Sequence, residues 1–289
     1  MIEETAKKPG WKIPEIKMPS EAELAEMRRL RSERARANKT CQSYWYPLIP
    51  ADVPVPKTQL VEFPLDLQGI ALEAAESPNL DPTSHEKLFA GIRKIEEACD
   101  LFGYPVFIKT GIFSDKHQWS CFVENKEAVK KAVITIVYGW AMVGGFGSDE
   151  SEFFVIRELL PTKPYMLFEG KMPVTKERRY FAEGGKVTWH QPYWPRDAFP
   201  DWATVDLLGH SSIDYALELL NEETEEEVHR LSALARSITT AIPGAWSIDF
   251  LQDIYGKWWL IDMAEAHKSY VNKNYEHGTR WLDLPLSGT

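Results

Sequence analysis

Residues 246–262 carry two carboxylates whose spacing suggests chemistry. The alternating run Trp246-Ser247-Ile248-Asp249-Phe250-Leu251-Gln252-Asp253-Ile254, then Tyr255-Gly256, then Lys257-Trp258-Trp259-Leu260-Ile261-Asp262, reads as a β-hairpin. With Tyr255-Gly256 as a two-residue loop, Asp249 falls directly opposite Asp262, with Cβ atoms about 5 Å apart. Like charges so placed weaken a sheet unless something offsets them. A divalent cation would do so, because hard Mg2+ accepts one or two carboxylates together with phosphate oxygens. Equally, one aspartate could be protonated or face solvent, or the register could slip by one residue and turn the pair apart. A second hairpin, residues 177–190, turns at Gly184-Gly185. With those two glycines as its loop, Arg179 faces His190 on the side of Glu177, Phe181 and Thr188, and Arg178, Tyr180 and Trp189 lie on the other. Cys41, Cys99 and Cys121 sit in apolar or aromatic surroundings without a neighbouring histidine motif, so no nucleophilic cysteine is indicated.

The elements that must position these residues are mixed. Ser20 and Glu23 form a capping box for a helix running to about residue 38. Its apolar stripe is thin (Leu24, Met27, Leu30), and Arg28, Arg29, Arg31, Arg34 and Arg36 could touch a partner or simply lie in solvent on the body. An aromatic, proline-rich stretch at 41–64 leads into a strand at 59–63. A helix is expected over 85–102, with Leu88, Ile92, Ile95, Cys99 and Phe102 inward and Gly103 as its stop. Strands follow at 105–109 and 119–124. Ala128, Val129, Ala132, Val133, Ile136, Val137 and Trp140 then recur at helical spacing, closed by Gly144-Gly145. A strand at 153–159, the two hairpins and a helix at 224–241 complete an α+β pattern.

The chain has 289 residues, of which 44% are hydrophobic and 12% aromatic, enough for a folded core and against wholesale disorder. Its formal charge is −10, distributed as +3 over residues 1–40 and −13 over the remainder. An acidic body argues against general nucleic-acid binding, though not against a phosphorylated ligand in a local basic pocket. Three scattered cysteines exclude a disulfide scaffold and suit a reducing cytoplasm. The first residues show no secretory pattern, and the longest uncharged run, 132–148, is shorter than a membrane span.

Taken in order, these segments resemble the ATP-grasp superfamily. A lysine ends an apolar strand (Tyr104 to Lys109), a helix follows, and a strand ends in Ile156-Arg157-Glu158-Leu159-Leu160-Pro161. Then come a Glu-x-Arg-x-Phe hairpin (Glu177–Phe181), Ser-Ile-Asp-Phe (247–250), a glycine turn and Trp-Leu-Ile-Asp (259–262). Trp45-Tyr46-Pro47, Ser114-Asp115-Lys116-His117-Gln118-Trp119 and Gln191 are similar to motifs of compact phage and bacterial members and of the eukaryotic cell-division-cycle-123 type. The likeness covers about residues 44–270.

The resemblance implies an ATP-grasp fold, two α+β lobes whose antiparallel sheets hold ATP between them, with the usual preceding domain reduced. It divides the chain into an arm and basic helix (1–43), an N-terminal lobe with the phosphate loop (44–150) and a C-terminal lobe with hinge and metal carboxylates (151–289). Lys109 resembles the lysine that meets the α- and β-phosphates. The segment 110–119 resembles the loop that closes over them, using Thr110, Ser114 and Lys116. Glu158, with Arg157 beside it, resembles the hinge residue near adenine and ribose. Arg179 resembles the arginine that steadies the γ-phosphate or an acyl phosphate. Asp249 and Asp262 resemble the magnesium carboxylates. One position departs: Ala264 stands where members carry a metal-binding asparagine, and Glu265 is the candidate substitute, with Lys268 or Ser269 at an acceptor site. The implied function is an ATP- and Mg2+-dependent carboxylate–amine ligase acting through an acyl phosphate on a small-molecule or peptide acceptor, with Arg179 and Lys116 as catalytic groups. The alternative is an ATP-binding assembly protein that closes on a protein partner without ligation. A third reading, an RNA-associated factor using the arginine helix, is opposed by the acidic remainder.

Overall fold

The structure is a computed structural model and describes residues 19–77, 79–144 and 149–282. Most of the N-terminal arm and Gly145 at the helix stop therefore lie outside the described residues. Helix α1 (Glu21–Ala37) begins with the expected capping box, Ser20 and Glu23 exchanging hydrogen bonds. It lies on the body mainly through ion pairs, and of its apolar side chains Ala35 is buried. Arg31 meets Glu150, and Arg36 meets Glu62 and Glu152, whereas Leu24, Met27 and Leu30 stay exposed.

A short helix α2 (Gln42–Trp45) follows, then β1 (Thr58–Glu62), α3 (Leu65–Glu76), α4 (Pro82–Asp100), β2 (Val106–Thr110), β3 (Phe122–Val123), α5 (Lys126–Gly144) and β4 (Phe153–Glu158). Four of these form an antiparallel sheet ordered β1-β4-β2-β3. The helices α3, α4 and α5 share one core with it, in which Leu88, Ile92, Ile95, Cys99, Val133 and Ile136 meet Ile108, Phe154 and Ile156. Strand alternation then fixes the other face: with Val106 and Ile108 turned to the helices, Phe107 and Lys109 point away from them. The strand expected at 119–124 is only Phe122–Val123, because Lys116–Gln118 form a 3-10 turn flanked by left-handed Asp115 and Trp119. Helix α3, which follows Pro64, has no counterpart in the sequence reading.

The chain continues through β5 (Met166–Phe168), β6 (Met172–Val174), β7 (Glu177–Glu183), β8 (Lys186–Pro192), β9 (Val205–Asp206), α6 (Ile213–Asn221), α7 (Glu225–Ala241), β10 (Ala245–Gln252) and β11 (Trp258–Glu265). A second antiparallel sheet has the order β11-β10-β7-β8. Its core, under α7, gathers Tyr180, Ile248, Phe250, Leu260 and Met263 with Leu231 and Ile238. Trp45 and Val53 are buried in this core too, so the proline-rich stretch, drawn from sequence with the first lobe, packs on the second. A small third sheet, β6-β5-β9, packs with α6 around Phe199 and Trp194. It is a separate cluster that a two-lobe expectation omits.

Both hairpins carry a bulge, with opposite consequences for the sequence reading. Gly184 and Gly185 have φ of 54° and 77°, as a two-residue turn matching strand twist requires. The register slips between Phe181 and Ala182, so Arg179 pairs with Gln191, and His190 pairs with Tyr180 on the buried face. The expected Arg179–His190 pairing is thus corrected by one residue. In the β10–β11 hairpin the loop is three residues, 254–256, because Asp253 pairs with Lys257 and its Oδ1 accepts the N–H groups of Tyr255 and Lys257. That alone would slide Asp249 opposite Ile261. A bulge between Asp249 and Phe250 restores the pairing, and Asp249 stands opposite Asp262.

Candidate functional site

The bulge has a further consequence. Leu260 and Met263 remain in the core under α7 while Asp262 turns to the same face as Asp249. That face and the Phe107–Lys109 face of the first sheet enclose a cavity of about 450 Å³. Lys109 and Arg157 line one wall, and Glu177, Asp249 and Asp262 the other. Ser114 and Lys116 of the loop close one side, and Leu159 to Thr162 with Leu167 and Met172 give an apolar end.

Ion pairs tie the walls together. Lys109, 2% exposed, places Nζ 2.9 Å from Asp262 Oδ2. Arg157 stacks 4.2 Å over the Phe107 ring and donates to the Ile261 carbonyl at the bulge, 2.8 Å away. Arg179 grips Asp249 with two parallel hydrogen bonds of 2.7 Å, the bidentate geometry that also suits a phosphate. Asp249 outweighs the effect of burial and holds the Arg179 guanidinium above its ordinary pKa, whereas burial lowers that of Arg157. Burial also opposes the charge on Lys116, but Tyr193, Glu177 and Asp249 more than compensate and its pKa is raised. Glu177 is raised by burial, with Lys116 pulling the other way.

Not every expected residue arrives. Thr110 alternates to the opposite face of β2 from Lys109, and its hydroxyl serves the turn, accepting the Phe113 N–H at 3.0 Å. Glu158 lines the cavity, and its carboxylate accepts the Lys57 N–H at 2.7 Å. Glu265 does not join the aspartates. It lies three positions further along β11, about 10 Å away and on the other face of the strand, where it pairs with Lys268 at 3.2 Å. No group of three or more histidine, cysteine or acidic side chains poised for a metal exists among the described residues. Asp249 and Asp262 fit a hard divalent cation only where a bound ligand supplies further oxygens. Sequence reasoning missed the apolar end at 159–164, whose irregular prolines carry no periodicity, and the ordering role of Asp253, which a single turn residue hardly signals.

Gly111 proves to be a packing position. A Cβ there would lie 2.2 Å from Cys41 Sγ and 2.4 Å from Ser151 Oγ, both on buried residues. Gly111→Ala is expected to destabilise the chain by about 1–3 kcal/mol through overpacking, measured as a lowered denaturation midpoint, while the neighbouring Ile112→Ala does not clash.

Behind Glu177, Arg178 is fully buried between Glu223 at 3.1 Å and Glu227 at 2.8 Å. Glu223 also receives the Tyr275 hydroxyl at 2.6 Å and meets His190 Nδ1 at 3.4 Å. Burial opposes its charge, yet His190, Arg178 and Tyr275 hold its pKa below the ordinary 4.5. Ionised Glu223 therefore contributes stability that is complete above about pH 4.5 and lost as pH falls through its lower folded value. Melting temperatures followed downward through the carboxylate range should drop there, and the drop should be shallower in Glu223→Gln.

No protein-family model matches the chain, and no curated protein does. Solved structures do. Cdc123 from Schizosaccharomyces pombe aligns with a TM-score of 0.48 and 14% identity over 81% of this chain and 85% of that one. The D-alanine–D-alanine ligase of Bacillus anthracis, complexed with ATP, gives 0.39 and 10% over 80% and 55%. The ATP-grasp ligase PsnB, complexed with a minimal precursor, gives 0.39 and 10% over 88% and 60%. The chain is similar in structure to ATP-grasp proteins. It spans most of Cdc123 but little more than half of the two ligases. No helix among the described residues is long and apolar enough to cross a membrane.

Proposed function

We propose that the chain binds ATP with magnesium between its two large sheets and uses it to join a carboxylate to an amine. The observation that carries this reading is that the Asp249–Asp262 pair, Lys109 and Lys116 line one cavity between the two sheets. The lining includes four cations, Lys109, Lys116, Arg157 and Lys171, and four carboxylates, Glu158, Glu177, Asp249 and Asp262. A nucleoside triphosphate would add negative charge to a balanced site, so it would enter with a cation of its own. Magnesium held by Asp249 and Asp262 would neutralise charge on the phosphates. The apolar end at 159–164 would take the base, with Glu158 and Arg157 beside the sugar. Lys109 is on a rigid strand and would hold the inner phosphates, and Lys116 would descend on the outer one. Arg179 would orient the carboxylate for in-line attack on the γ-phosphorus and steady the resulting acyl phosphate. The carboxylate oxygen would bond to the γ-phosphorus as the bond to the bridging oxygen breaks and ADP leaves. The acceptor, neutral once its ammonium form has given a proton to solvent, would then attack the carbonyl carbon, and inorganic phosphate would leave with the electrons of the C–O bond as the nitrogen gives up a second proton to solvent.

The position of Ala264 and Glu265 favours a second reading, an ATP-binding assembly protein without ligation. With no third acidic side chain grouped with the pair for a metal among the described residues, the site offers less metal coordination than a full ligase would use, and nucleotide binding would serve to draw the lobes around a protein segment. Nucleotide turnover separates the two. ADP release that requires both a carboxylate and an amine supports ligation, and saturable binding of Mg-ATP without release supports assembly.

A further inference from the structure

Lys116 reaches across the cavity into a receptor built wholly by the second lobe. Its Nζ sits 3.9 Å from the centre of the Tyr193 ring and 4.6 Å from that of Trp194. The nearest carboxylate oxygen, Glu177 Oε2, is 3.9 Å away. This receptor is shaped independently of the lysine. Trp194 is 4% exposed and donates its indole N–H to Glu177 Oε1 at 3.2 Å. The Asn221 amide donates to the Trp194 carbonyl at 3.1 Å, and the Tyr193 N–H donates to the Glu177 carbonyl at 3.2 Å. Two aromatic faces and one buried carboxylate are what a desolvated ammonium group requires: ring quadrupoles attract the cation, and the carboxylate supplies the counter-charge. Lys116, by contrast, stands on a loop and not on a strand or long helix, so it can leave. The Arg179 guanidinium lies 4.7 Å over the same Tyr193 ring, which sets the receptor next to the aspartate pair.

We propose that Tyr193, Trp194 and Glu177 form a cage for a primary ammonium group, held here by the chain's own Lys116 and taken by the amine acceptor when Lys116 moves to the nucleotide. The cage itself stands on this geometry, whereas its second occupant rests on the ligation reading. The acceptor class is then a primary amine on an unbranched carbon, such as a lysine side chain or an amino-terminal glycine, because a group bulkier at or next to nitrogen would not replace a lysine ammonium between the rings.

The test uses the full chain and n-butylammonium as probe, with n-butanol as the neutral control. The reporter is the Trp194 indole N–H resonance, assigned through Trp194→Phe. Lys116→Ala is expected to give a saturable shift with butylammonium and none with butanol. Adding Tyr193→Leu should weaken that binding by about tenfold or more, and Tyr193→Phe, which keeps the ring, should retain it. In the unsubstituted chain butylammonium should bind only once Mg-ATP is present. No shift in Lys116→Ala, an equal shift with butanol, or indifference to the loss of the Tyr193 ring each overturns the cage. Ammonium binding to Lys116→Ala without any response of the unsubstituted chain to Mg-ATP keeps the cage and overturns the nucleotide reading. Mg-ATP binding without an ammonium shift does the reverse.

Discussion

Mg-ATP at a hundred times its dissociation constant should stabilise the chain by about 2.7 kcal/mol, a rise in melting temperature of roughly 5–10 °C at this size. Asp249→Asn should abolish most of that rise. Asp249 is the more buried of the pair, 8% exposed against 44% for Asp262, and it holds both nitrogens of the Arg179 fork. The substitution removes one of the two carboxylates proposed to hold magnesium and also leaves Arg179 without its counter-charge. The unliganded variant should therefore be less stable as well, and each protein's rise is measured from its own baseline. Lys109→Met is the complementary case. It removes a buried cation and strands Asp262, so the response should be lost with or without magnesium. Differential scanning fluorimetry across a nucleotide and magnesium matrix reads both. An unchanged rise in Asp249→Asn would remove the aspartate pair from nucleotide binding, and no rise in the unsubstituted chain at millimolar Mg-ATP would overturn the nucleotide reading itself.

How far the sequence shows this arrangement can be judged at Asp249. Its pairing with Asp262 follows from the assumed two-residue loop, yet the true loop has three residues and the strand has a bulge. The two departures cancel, so the residues meet for a reason that the hairpin count does not contain. At Arg179 the same count has no cancelling error and misses by one, because only a bulge intervenes. Bulges are decided by which side chains fill the core on each face, a tertiary matter that local alternation does not report. The long helices were legible because their apolar stripes repeat over several turns: Leu88 to Cys99 and Val129 to Val137 are buried as their spacing requires. Short β5, β6 and β9 were not, since strands of two or three residues offer no period to read. Lys109 was legible as a strand-end lysine. Its neighbour Thr110 was placed with it, although alternation sends consecutive residues to opposite faces of a sheet.

The largest loss of stability is expected at a residue that does not itself line the cavity. Arg178→Ala should cost about 3–5 kcal/mol, a sizeable share of the 5–15 kcal/mol typical of a folded domain. Arg178 is 0% exposed, and its guanidinium is saturated: Nε meets Glu223 and Glu227, Nη1 donates to the Glu177 and Leu220 carbonyls, and Nη2 donates to the Glu222 carbonyl. Removing it leaves two carboxylates with side chains 4% and 7% exposed without their main counter-charge, and frees the ends of the α6–α7 connection. Lys176 still reaches Glu227 at 3.0 Å and His190 still lies beside Glu223, so the loss falls short of a wholly unpaired ion pair. Arg178→Lys keeps the charge but cannot serve five acceptors with one ammonium, and should lie between the two. Arg178→Met with Glu223→Gln and Glu227→Gln should recover much of the stability, because it removes the stranded charges while keeping bulk in the core. Urea denaturation of the four proteins measures this. A single substitution as mild as a surface change would mean that water already screens this network. Because Arg178 and Arg179 are adjacent on β7 and face opposite sides of the sheet, the same series tests their division of labour. Losing Arg178 should lower stability and leave the nucleotide-induced rise intact at a temperature where the variant is folded, while losing the carboxylate held by Arg179 should remove most of that rise.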